Sequence, residues 1–355
     1  MIISIASGKG GTGKTLVATS LALSIADEGV QLLDCDVEEP NAHLLLNPSF
    51  DSSEPVEVKV PQVDESRCTY CGKCSEVCVY HSIAVIKNKV LLFPELCHGC
   101  GACSYLCPEK CITETNRQIG VIERGYAGSI EFIHGKINVG EAMVPPVIRK
   151  VKERFNGNSI TIIDAPPGTS CPVVESVKGS DYCVLVTEPT PFGLYDLDLA
   201  LQVVKQMDIP CGVILNRAGK ADENVENYCA EENIPILMKI MLNTEIAKLY
   251  SKGIPLVNGI PEYRMVFRYM YDEIKHIINE KSCDGLMSQE ENIKEKVDEN
   301  GIKWRKVYFG GGAHFDNWLA QANELGEVQV EEVSPEGLEC FEKSDEKLFR
   351  IWVKE

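Results

Sequence analysis

The chain has 355 residues, a formal net charge of −18, and no apolar run near the roughly 20 residues that span a bilayer. With 44% hydrophobic and 25% charged residues it is ordinary for a soluble globular protein of two or three domains. The acidity argues against a nucleic-acid backbone as partner, and no basic leader or cleavage site marks a signal peptide.

Residues 1–7 read as a buried strand, and SGKGGTGKT follows at 7–15. Gly8, Gly13, Lys14 and Thr15 fit G-x-x-x-x-G-K-T, with Lys9, Gly10, Gly11 and Thr12 inside the loop. Glycines in such a loop let backbone N–H groups close around phosphate oxygens at a helix N-terminus. Lys14 is expected on the β- and γ-phosphates and the Thr15 hydroxyl on Mg²⁺. KTLVATSLALSIADE reads as a helix ended by Gly29, and VQLLDCD as a second strand ending in acid. The stretch from Glu38 to Phe50 reads as irregular, with a shift in composition at Pro55 to Pro61.

Two cysteine quartets come next: Cys68, Cys71, Cys74, Cys78 and Cys97, Cys100, Cys103, Cys107. Both read C-x-x-C-x-x-C-x-x-x-C, 29 residues apart, with Pro108 after the second. This is the bacterial two-cluster ferredoxin pattern, in which the fourth cysteine of each run crosses to the other [4Fe-4S] cube. The expected sets are Cys68, Cys71, Cys74 with Cys107, and Cys97, Cys100, Cys103 with Cys78. Zinc competes, but tetrahedral zinc does not need four cysteines at this spacing. C-x-x-C runs in a chain without export signals point to metal rather than disulfides, hence to the cytoplasm.

An α/β alternation then resumes. IGVIERG and SIEFIHGKI suggest a hairpin, PPVIRKVKERF a helix, and SITIIDAPPG, YCVLVTEPT and CGVILNRAG strands leading into loops. The expected fold is α/β, a doubly wound, mostly parallel sheet. Its domain occupies 1–61 and 116–281, a ferredoxin module is inserted at 62–115, and a linker covers 282–302. A small α+β unit ends the chain at 303–355, where GGGAH at 310–314 reads as a tight turn or an anion site.

With its second lysine, K-G-G-T-G-K-T resembles the deviant phosphate loop of the MinD/Mrp/nitrogenase-iron-protein class. From residue 1 to about 280 the chain is identified as a MinD-superfamily P-loop ATPase with an inserted ferredoxin domain. The resemblance implies that Lys9 reaches the nucleotide of a facing protomer, a charge in trans like an arginine finger. Asp36 would orient the attacking water, supported by Asp34, and Asp164 in DAPPG would hold Mg²⁺ through water. Gly168 would sense the γ-phosphate, and Asn216 would recognise the base, against a competing capping or turn role. Cys171 stands where the nitrogenase iron protein has a cluster ligand; a packed cysteine competes.

Expected cofactors are ATP, Mg²⁺ and two [4Fe-4S] clusters. Expected partners are a second copy or a paralogue, plus a redox or metallocluster protein, with no nucleic acid and no membrane. Three functions fit: ATP-driven electron transfer or cluster delivery, metallocluster assembly, and MinD-like positioning with redox-sensing clusters.

Overall fold

The computed structural model describes residues 1–219, 221–298, 301–310, 315, 319, 322–323, 326–333 and 348–354, with backbone alone at 280–292, 309, 310 and 348. Strand β1 (Ile2–Ala6) leads through the glycine loop into helix α1 (Lys14–Ser24). β2 (Val30–Asp34), a short helix α2 (Ala42–Leu46) and the 15-residue strand β3 (Ser49–Val63) follow. The cysteine-rich segment holds α3 (Lys73–Val77), the hairpin β4 (Ile83–Ile86) and β5 (Lys89–Leu92), and α4 (Ala102–Leu106). The chain returns along β6 (Ile112–Ala127) and turns back as β7 (Ile130–Ile137).

Helix–strand units then alternate: α5 (Val144–Lys152) and β8 (Ile160–Asp164), α6 (Cys171–Val177) and β9 (Tyr182–Thr187). α7 (Pro191–Gln206) and β10 (Cys211–Ala218), α8 (Glu223–Glu231) and β11 (Ile236–Met241) continue the pattern. Helices α9 (Thr244–Ser251), α10 (Leu256–Gly259) and α11 (Glu262–Asn292) come next.

Among the described residues the main sheet runs β11-β10-β9-β1-β8-β2-β7-β6-β3. It is parallel from β11 to β7 and antiparallel across β7, β6 and β3. The central strands β2 and β9 are buried at every residue, which is why they read as continuous apolar runs rather than alternating ones. Helices α6, α7 and α8 share one core cluster with β9 and β10, while α5 packs Val147, Ile148 and Val151 against Leu33, Ile133 and Ile163. The Lys152 ammonium donates to the carbonyls of Glu175, Ser176 and Lys178, closing the C-terminal end of α6 where helix carbonyls lack partners.

The stretch from Glu38 to Phe50, read as irregular, holds α2 and the first two residues of β3, and the composition shift at Pro55 to Pro61 lies inside β3. Pro55 and Pro61 are tolerated because β3 is the edge strand, pairing only with β6. β3 and β6 stay paired from Ser49–Tyr126 to Val63–Ile112, on the order of 45 Å of ribbon. Its root packs in the main core through Val56, Ile119 and Ile122. Its tip, Val63 and Ile112, enters a separate cysteine-rich core.

The chain divides into two compact units, Met1–Met270 and Tyr271–Glu355. The stretch 282–302, expected as a linker, carries the last turns of α11 and strand β12 (Glu295–Val297). The second unit is a sheet in the order β12-β13-β15-β14, with β13 (Lys303–Gly310), β14 (Val328–Val333) and β15 (Leu348–Lys354) around Ile351 and Val353. Residues 311–314 of the GGGAH turn lie outside the described residues. No described helix is long and apolar enough to cross a membrane.

At the root of the ribbon, the buried His134 ring stacks on Phe50 and its Nε2 lies 2.8 Å from Glu123. Burial lowers its affinity for a proton, against the pull of Glu123. The unfolded chain therefore takes up a proton that the folded chain refuses, and stability is lost as pH falls below about 6.5. Substituting His134→Gln is expected to flatten that part of the stability–pH curve, measured by urea midpoints between pH 5 and pH 8.

Candidate functional site

The glycine loop sits at the carboxyl end of β1, where an open parallel sheet places its ligands. Gly13 takes the left-handed φ of 101° just before α1, and a Cβ there would stand 2.4 Å from the Asn216 Nδ2. Glycine is therefore required twice over, by conformation and by space. A cavity of ≈ 1310 Å³, part of it open to solvent, lies beside the loop. Gly10, Gly11, Gly13, Lys14, Thr15, Asp36 and Asn216 line it.

Lys14 is almost wholly buried, and burial lowers its proton affinity against the opposing fields of Asp164 and Asp36. Asp34 and Asp164 end the adjacent strands β2 and β8 in direct register. Burial raises the pKa of both, and Asp164 adds to the rise at Asp34. Burial likewise pushes Asp36 up to about 6, with Lys14 opposing. Asp34 is committed to the backbone: its carboxylate accepts from the N–H groups of Asp36 and Ala42, both at 3.1 Å. Both Asp164 oxygens, by contrast, are buried without a hydrogen bond of ordinary geometry, and the Thr15 hydroxyl lies beside them. Hard oxygen donors left unpaired next to a phosphate loop fit Mg²⁺.

The remaining expected site residues are placed as follows. Lys9 Nζ lies 3.7 Å from Glu188 of its own chain, and Glu188 also pairs with Arg217 at 2.6 Å. The Gly168 N–H donates to the Ser7 carbonyl at 3.0 Å, so sensing a phosphate through it requires that bond to open. Asn216 Nδ2 donates to the Thr12 carbonyl at 2.7 Å and its Oδ1 accepts from the Arg217 N–H, so this side chain clamps the loop as well as lining the cavity. Cys171 is exposed at the first turn of α6. Sequence reading missed Glu188 and Arg217, although Glu188 in TEPTPFG follows β9 as Asp164 ends β8. Tyr250 and Asn243, also in the cavity wall, carried no local signal.

In the cysteine segment two cavities of ≈ 340 Å³ each, partly open to solvent, divide the quartets. Cys68, Cys71, Cys74 and Cys107 line one, with Cys111; Cys78, Cys97, Cys100 and Cys103 line the other. Each fourth cysteine has thus crossed to the other run. Backbone N–H groups donate to sulfur from Tyr70 to Cys68, Ser82 to Cys78 and Gly99 to Cys97. Among the described residues no three His, Cys, Asp or Glu side chains converge on a single ion. The sulfurs instead line two cavities.

A phosphate loop between β1 and α1, with buried carboxylates ending β2 and β8 beside its lysine, defines a P-loop nucleotide-binding protein. The chain belongs to the CobQ/CobB/MinD/ParA nucleotide binding domain family, whose model matches residues 3–256. An uncharacterized protein of Methanocaldococcus jannaschii is 32% identical over 258 residues, covering 71% of this chain and 90% of its own. An iron-sulfur cluster carrier protein of Synechocystis sp. is 26% identical, covering 74% of this chain and 65% of its own. The septum site-determining protein MinD of Pyrococcus horikoshii, solved with Mg-ADP, has a TM-score of 0.48 at 20% identity, covering 77% of this chain and 95% of that one.

Replacing Gly13→Ala is expected to weaken MgADP binding roughly 10-fold or more, about 1.4 kcal/mol, in a fluorescent-nucleotide titration. Adding Asn216→Ala removes the steric conflict but not the backbone strain, so it should restore only part of the affinity.

Proposed function

We propose that this protein is a dimeric, MgATP-driven carrier of iron–sulfur clusters, its inserted ferredoxin module holding two [4Fe-4S] clusters. One observation carries the reading. Two cysteine-lined cavities, each with one cysteine from the other run, sit at the tip of a ribbon whose first strand follows α2, the helix that opens at Ala42 beside Asp34. The kinship with an iron-sulfur cluster carrier protein supports delivery over other uses of the clusters.

In this scheme Lys14 and the loop N–H groups hold the phosphates, and Thr15 with Asp164 positions Mg²⁺. The ion neutralises charge on the β- and γ-phosphates. Asp36 orients the attacking water. Lys9 leaves Glu188 and enters the nucleotide site of a facing protomer, so hydrolysis needs two chains. Opening the Gly168–Ser7 bond and moving the Asp34-anchored segment passes the nucleotide state to the ribbon and the module.

Anaerobically reconstituted protein is expected to hold about eight irons per chain and to load a cluster-free acceptor faster with MgATP than without nucleotide. Equal transfer rates would count against the reading. Lys9→Ala should keep nucleotide affinity but lower ATP turnover by on the order of 10³-fold, the scale of a charge in trans. Electron transfer is the second reading, favoured by the tandem ferredoxin spacing. It predicts that MgATP speeds reoxidation of reduced clusters by a partner while iron stays bound.

A further inference from the structure

The two halves of the module repeat in conformation as well as in sequence. Tyr70 and Gly99 take left-handed φ of 56° and 64°, Gly72 and Gly101 of 81° and 70°, and His81 and Lys110 of 52° and 49°. Each pair is related by the same 29-residue shift as the quartets. Under that shift Ser82 corresponds to Cys111, each four residues after the crossing cysteine.

The correspondence extends to chemistry. Ser82 is buried, lines the cavity of Cys78, Cys97, Cys100 and Cys103, and its Oγ lies 3.1 Å from Cys78 Sγ. Cys111 is equally buried, lines the other cavity, and its Sγ lies 3.5 Å from Cys107 Sγ. At one site the crossing ligand therefore has a hydroxyl neighbour, and at the other a thiol. A serine hydroxyl stays protonated and serves as a hydrogen-bond donor. Sulfur is a soft donor suited to iron in a cluster, and a hydroxyl oxygen a hard one.

We propose that Cys111 is an alternative fourth ligand for the cluster in the Cys68, Cys71, Cys74 and Cys107 cavity, so that this cluster exchanges one corner between two thiolates while its neighbour does not. The proposal rests on the two-cluster reading of the module. In the exchange the iron–sulfur bond to Cys107 breaks as one to Cys111 forms. The proton leaving Cys111 Sγ passes to Cys107 Sγ across their contact, and no electron moves. A corner that opens without losing a charge compensator gives this cluster a route out of the protein, and the Ser82 site retains its own.

The test uses the full chain, reconstituted anaerobically with iron and sulfide, with nucleotide binding checked to confirm folding. Cys107→Ala is expected to keep the wild-type iron content, whereas Cys78→Ala and the double variant Cys107→Ala/Cys111→Ala each lose about half. Ser82→Cys added to Cys78→Ala should restore it, which keeps the idea refutable even if Cys107→Ala does not fold. In the wild type two ligand states should give two overlapping electron paramagnetic resonance signals from the reduced cluster, with Cys111→Ala leaving one. Half the iron lost in folded Cys107→Ala, no rescue by Ser82→Cys, or a signal indifferent to Cys111→Ala would each overturn it. Wild-type protein that takes up no cluster sinks the carrier reading itself, a result separate from all of these.

Discussion

Two carboxylates side by side, Asp34 at the end of β2 and Asp164 at the end of β8, set the conditions for everything around them. Both are desolvated, and neither tolerates the other's charge without help. Asp34 finds that help in the N–H groups of Asp36 and Ala42, which fixes the path of the chain out of β2. Asp164 finds it only in Thr15 and Lys14, both belonging to the phosphate loop. Folding thereby leaves an acid with unpaired oxygens where a hard cation and a triphosphate complete the charge balance.

The same arrangement makes the site responsive. Lys9 and Arg217 share Glu188, Gly168 is tied to Ser7, and Asn216 holds the Thr12 carbonyl. Each contact ties a part of the loop or its surroundings to a group that a nucleotide or a second protomer would compete for. Because the Ala42 N–H that opens α2 donates to Asp34 and β3 begins three residues after α2 ends, the carboxylates have a short covalent path to the ribbon. The ribbon is anchored by apolar side chains in two cores, at Val56 and Ile122 below and at Val63 and Ile112 above. Its register shifts twice along the paired length, between Phe50 and Ser52 and between Val56 and Glu57.

Above the ribbon the module has few apolar residues and many thiols. Ile83, Val90 and Ile112 are buried there among cysteine side chains. So small a core gives little stability by itself, which couples folding to whatever the thiols bind. The internal repeat is not exact in chemistry: matching backbones place a hydroxyl beside Cys78 and a thiol beside Cys107.

Much of this was legible in the chain. Glycine and lysine spacing gave the phosphate loop, because only a few residue types suit a left-handed turn that exposes N–H groups. Apolar runs of five or six residues gave the parallel strands, because both faces are covered. Cysteine spacing gave the paired cavities, because three sulfurs two residues apart must turn around one space. What the sequence could not determine were the contacts made between distant segments. β3 was unreadable, since its prolines and charges suit an edge strand whose partner among the described residues, β6, lies 49 (Val63 to Ile112) to 77 (Ser49 to Tyr126) residues away. Glu188 carried no sign of Lys9, nor Asn216 of Thr12, because each pair meets only when the sheet brings separate loops to one end. Nor did spacing show that Cys111 meets Cys107: the cysteine pattern suggests which sulfurs share a cavity, but the 3.5 Å contact of a ninth thiol with one of them is settled only by packing.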